Sequence, residues 1–180
     1  MRSGRLSAIG GGIALLLLTG CVAAPGTPPS PTASDRKGDG VGTTQPELTV
    51  ENAKRIAQGI ENDIVAAFPE GSVRTVEQTP DGVLLRCSAD RAYSWIGRTT
   101  VELTPDAEPQ NVIETVTTAY RNNDELVPED ITERGVPGVQ LNGPYGSGYV
   151  VSGERSGTVT IDSFSPCFVL PEGKSSSARY

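Results

Sequence analysis

Histidine is absent from this chain of 180 residues, aromatic residues make up 5% of it, and cysteine occurs three times. Without histidine there is no Ser-His-Asp triad, no Cys-His pair and no His-ligated zinc or haem. Three cysteines fall short of a four-thiolate metal site. Basic residues are outnumbered as well: 15 Lys and Arg face 22 Asp and Glu, a net charge of −7. That balance argues against duplex nucleic acid as a partner. No Gly-x-Ser-x-Gly elbow and no phosphate-cradling glycine pattern occurs, so no cofactor and no metal are expected. The length is that of one domain.

What is present begins at the N-terminus. Arg2 and Arg5 precede an apolar run, Ala8 to Leu18. The run is far shorter than the roughly 20 residues that span a bilayer. A basic start with so short a run reads as a secretory signal peptide, residues 1–20. The two arginines are not adjacent, which favours general export over the twin-arginine route. The run closes as Leu18-Thr19-Gly20-Cys21. Here the chain resembles bacterial lipoproteins, whose lipobox ends in Gly-Cys or Ala-Cys after a Leu and a small residue. The resemblance implies that the Cys21 sulfur receives a diacylglycerol and that cleavage makes Cys21 the new N-terminus. The protein would then be anchored by lipid to the outer face of the cell membrane. The alternative is an ordinary cleaved signal followed by a chance cysteine. Cleavage would remove Arg2 and Arg5, leaving 13 basic against 22 acidic groups and a net charge of −9. Anionic lipid would repel such a body, so attachment would rest on the acyl chains, two of which anchor stably where one is marginal.

Beyond Cys21, residues up to 46 are Pro, Gly, Ser and Thr with almost nothing apolar. Such a stretch cannot bury enough surface to offset chain entropy and is expected to be a disordered spacer. A single compact domain is expected over 47–172, and the polar tail 173–180 is expected to fray.

Within the domain, Ala53, Ile56, Ala57, Ile60, Ile64, Ala67 and Phe68 fall at helical spacing, with Thr44 or Thr49 as N-cap and Pro69 as terminator. Short strands are expected at 72–78 and 83–87 around the turn Thr79-Pro80-Asp81-Gly82, and a longer one at 95–103 after a loop at 88–94. A second helix follows, with Asp106 as N-cap and Val112, Ile113, Val116, Ala119 and Tyr120 as its apolar face. Four strands close the chain, at 126–134, 136–141, 148–152 and 157–164, separated by glycine-rich turns. The order α-β-β-β-α-β-β-β-β points to an α+β fold, a mainly antiparallel sheet with both helices packed on one face.

With Cys21 acylated, Cys87 and Cys167 form the remaining pair, and export places them where disulfides persist. A Cys87–Cys167 bond is expected, closing a loop of about 80 residues and worth on the order of 4 kcal/mol in the chain-entropy account. Two free buried thiols are the alternative.

Carboxylates could serve acid–base chemistry, and Glu61/Asp63, Asp124/Glu125 and Glu129/Asp130/Glu133 are the clusters. None accompanies a nucleophile motif, so they read as solvated acidic surface. The single Trp95 stands near Tyr93, flanked by Arg91 and Arg98. If exposed, these four residues would form a contact site for a protein or envelope glycan. Otherwise Trp95 caps the core at the start of a strand. The stretches Ser94-Trp95-Ile96-Gly97-Arg98-Thr99-Thr100 and Gly157 to Phe168 also resemble parts of small actinobacterial lipoproteins of uncharacterised function. That resemblance implies an envelope location and no activity.

The expectation is therefore a lipid-anchored, extracytoplasmic module, more a binding or interaction protein than an enzyme, attached to the membrane through its lipid. A small-ligand carrier with a pocket between sheet and helices is the alternative. A carboxylate-dependent hydrolase comes third.

Overall fold

The computed structural model describes residues 43–154 and 156–180. Helix α1, Val50–Ala66, begins where Thr49 holds an extended conformation and its hydroxyl accepts the Asn52 amide at 3.2 Å. This is the second of the two caps the sequence offered, and it satisfies one of the free N–H groups of the first turn. Val50, Ala53, Ala57 and Ile64 are buried along one stripe. Pro69 follows the helix end, as expected.

Strands β1 (Val73–Gln78), β2 (Val83–Arg86) and β3 (Ala92–Leu103) come next. β3 starts three residues earlier than the alternation indicated, because Ala92 and Tyr93 pair with a short strand from the far end of the chain. Helix α2, Pro109–Tyr120, is capped by the backbone of Glu108 rather than by Asp106. Pro109 decides this: a proline forces the residue before it out of the helical region, so the helix cannot begin earlier than Pro109 itself. The threonines in α2 are accommodated because Thr115 and Thr117 return their hydroxyls to the carbonyls of Asn111 and Ile113, each at 2.7 Å. Ala119, expected on the buried face, is exposed.

Then come β4 (Val127–Asp130), β5 (Gly138–Asn142), a single 3-10 turn at Pro144–Gly146, β6 (Gly148–Glu154), β7 (Thr158–Phe164) and β8 (Phe168–Val169). The order is the expected one with β8 added. Two residues after a proline carry no periodicity, so β8 was not legible. All strand pairs are antiparallel. The eight strands form one sheet, β1-β3-β7-β6-β5-β4, with β2 and β8 also paired to β3.

Both helices lie on one face of this sheet, and the fold is α+β. Ile64 and Phe68 of α1 and Val112, Ile113 and Val116 of α2 meet Val101, Leu141, Tyr149, Val151, Val159 and Ile161 in the main core. A second core joins Val50, Ala53 and Ala57 to Trp95, Phe168 and Leu170. The polar tail does not fray. The Tyr180 carbonyl accepts the Gly82 amide at 2.8 Å and the Trp95 indole N–H at 3.0 Å, so the last residue lies against the β1–β2 turn.

Candidate functional site

The face of the sheet away from the helices is open. Side chains alternate across a strand, so residues in register share a face. One register row runs Val83, Ile96, Phe164, Gly148, Asn142 and Val127, crossing six strands from β2 to β4. Val83 and Val127 at its two ends are 48% and 54% exposed. Leu85 and Val169, opposite Ser94 and Ala92 on either side of β3, add two more apolar groups at 53% and 52%. The adjoining row is Arg98, Asp162, Val150, Gln140 and Glu129. In it the Arg98 Nε donates to Asp162 Oδ1 at 2.6 Å, and Glu129 accepts the amide of Asn142 from the first row at 3.1 Å. The bond to the Asp162 carboxylate raises the pKa of the Arg98 guanidinium above its ordinary value. Farther along lie Glu77 and the hydroxyl-bearing Thr100, Thr160 and Ser152. Exposed apolar side chains beside satisfied polar pairs are the arrangement of a contact surface.

The outer strand β4 does not invite a further strand. Pro128 removes a backbone donor from it, and β4 is only four residues long. Both are ways of blunting a sheet edge. The surface available for a partner at this end is the face of the sheet rather than its margin.

Sequence had grouped Arg91, Tyr93, Trp95 and Arg98, and the fold separates them. Trp95 is fully buried in the second core, opposite in direction to Arg98, which sits on the open face. Arg91 lies on the turn before β3, where it bonds the Leu170 carbonyl and Glu172, each at 3.3 Å. Tyr93 is half-buried against the same core as Trp95. The exposed Trp between two arginines is therefore not formed; only Arg98 of the four belongs to the open face. The reason is parity: Trp95 and Arg98 are three residues apart in a strand, which sends their side chains to opposite sides.

Cys87 and Cys167 are disulfide-bonded, as expected. The bond joins the end of β2 to the segment before β8. Cys21 lies outside the described residues, as do residues 1–20 and the spacer up to 42. Among the described residues, no group of three or more acidic or thiol side chains is placed to hold a metal ion, and no helix is long and apolar enough to cross a membrane.

One acidic residue departs from its reading altogether. Its place beside Asp63 predicts solvated surface, yet Glu61 is fully buried. Its Oε2 accepts Gln78 Nε2 at 2.8 Å and the Thr99 hydroxyl at 2.6 Å, and its Oε1 accepts the Ser163 hydroxyl. A signal existed: Glu61 lies four residues after Ala57 and three before Ile64, on the apolar stripe itself. The site is sealed, and its geometry serves packing of α1 on β1, β3 and β7.

No family model, no curated protein and no solved structure matches this chain.

Proposed function

We propose that this is a lipid-anchored, extracytoplasmic binding module whose open sheet face takes a protein partner. The observation that carries the reading is the register row from Val83 to Val127, with both valines exposed at its ends and Ile96 and Phe164 half-buried between them, while both helices occupy the other side. A partner presenting an apolar strip of its own would bury that row, and its polar groups would meet the Arg98–Asp162 and Asn142–Glu129 pairs at the rim. The anchor rests on Arg2, Arg5 and the Leu18-Thr19-Gly20-Cys21 stretch. The Cys87–Cys167 bond is the covalent tie that an oxidising compartment permits.

The test is native mass spectrometry of the full-length protein extracted gently from its own membranes. The expected spectrum carries a diacylglycerol mass on Cys21 and a co-released protein. Replacing Val83 and Leu85 together by Asp should abolish that co-release with the fold intact. A partner equally well retained by this variant would remove the sheet face from the proposal. An unmodified Cys21 would remove the anchor.

A further inference from the structure

On the helix side of the sheet, α1, the loop after α2 and the β5–β6 turn enclose a cleft of about 330 Å³. That volume is within the range of small-molecule sites, which begins at roughly 300 Å³. Its apolar walls include Ile56, Ile60 and Leu126. Its ionisable lining is of one sign: Asp63 and Glu125 are both exposed, and no Lys or Arg contributes. Two phenols, Tyr120 and Tyr149, complete it.

Tyr149 supplies the second, independent observation. Its side chain is fully buried, and its hydroxyl has no hydrogen-bond partner among the described residues. Buried polar groups are nearly always paired, so an orphan at the floor of a cleft calls for a group to bond. Its neighbours are already engaged. The Ser147 hydroxyl donates to the Pro144 carbonyl at 2.8 Å, and Asn123 Oδ1 accepts the Glu125 and Leu126 amides, each at 2.9 Å. Both phenols are held in the neutral form. Burial comes first in each case, followed by the Asp63 carboxylate for Tyr120 and by Glu61 for Tyr149.

We propose that this cleft binds a small organic cation, an amine with a compact apolar body. Asp63 and Glu125 would hold the ammonium group at the mouth, beside the Tyr120 ring, which attracts a cation through its face. The apolar body would lie against Ile56 and Ile60, and a polar atom at its far end would satisfy the Tyr149 hydroxyl. An anion of the same size meets two carboxylates and no cation. The proposal stands apart from the open sheet face, which lies on the other side of the sheet.

The experiment is an NMR titration of the full chain, carrying 13C-labelled tyrosine, in nonionic detergent. The probe is 2-phenylethylammonium, and 3-phenylpropionate is its anionic counterpart. Saturable shifts of the Tyr120 and Tyr149 ring signals are expected with the ammonium and not with the carboxylate. The double variant Asp63→Asn, Glu125→Gln changes two exposed side chains and should weaken the ammonium at least tenfold while leaving the unfolding midpoint unchanged. Absence of a saturable shift would overturn the proposal. Equal binding of the carboxylate, or undiminished binding by the double variant, would overturn it too.

Discussion

Ser163 on β7 donates a hydrogen bond to the Glu61 carboxylate on α1, across 102 positions of sequence. With Thr99 and Gln78 it turns an acidic side chain into the link between a helix and three strands. Glu61→Ala would strand three donors in or near the core. Each buried unpaired group costs about 1–3 kcal/mol, so a loss of about 3 kcal/mol or more is expected. Glu61→Gln keeps one carbonyl oxygen, and the serine and threonine hydroxyls can rotate to meet the new amide, so its loss should be smaller. Urea unfolding at neutral pH measures both. A Glu61→Ala protein as stable as the parent would show that the link contributes nothing.

The Cys87–Cys167 bond ties residues 80 apart in sequence. Reducing it, or replacing both cysteines by serine, should cost on the order of 4 kcal/mol, chiefly by freeing the unfolded chain. The folded double variant should keep its far-ultraviolet spectrum. Parallel denaturation of oxidised and reduced protein checks the figure; coincident transitions would contradict it.

Trp95 depends on two glycines. A Cβ at Gly97 would overlap the Trp95 indole, and one at Gly82 would press on the same ring and on the Ile96 carbonyl. Gly97→Ala should therefore displace the indole and cost about 1–3 kcal/mol, the usual range for overpacking. Trp95→Ala should cost more, about 3–5 kcal/mol, by leaving a cavity between α1 and Phe168. The Trp fluorescence maximum reports the displacement directly. An unshifted maximum in Gly97→Ala would place the ring elsewhere.

Acid should loosen the surface network of carboxylates. The Thr132 backbone N–H lowers the Asp130 pKa below the ordinary carboxylate range, the Thr75 hydroxyl and then Arg74 lower Glu102, and a backbone hydrogen bond lowers Glu51. A carboxyl whose pKa is depressed on folding stabilises the native state above its unfolded pKa, and that contribution is lost as pH falls through the folded value. Stability should thus fall as the solution is taken below the normal carboxylate range. Thermal midpoints across an acid series test this. Asp130→Asn should flatten part of the dependence, and an unchanged slope would exclude Asp130 from it.

The local elements were legible because their causes are local. The stripe Ala53, Ala57, Ile64, the cap at Thr49 and the stop at Pro69 announce α1 from nearest neighbours alone. Alternation marks β6 and β7, and the lipoprotein resemblance, by setting Cys21 aside, leaves Cys87 and Cys167 as the pair. Pro109 sets the start of α2, because its steric effect on Glu108 outweighs the capping preference of Asp106.

Sequence by itself determined the helices, most strands and the α+β class, since periodicity and turn chemistry act over a few residues. Only the tertiary structure decided which side each strand residue faces, because a one-residue change of register reverses every side chain. That choice buried Trp95 and left Arg98 on the open face, and it aligned Val83 with Val127 across six strands. Tertiary contact also drew Glu61 inside and docked Tyr180, as the donors that satisfy them come from distant segments.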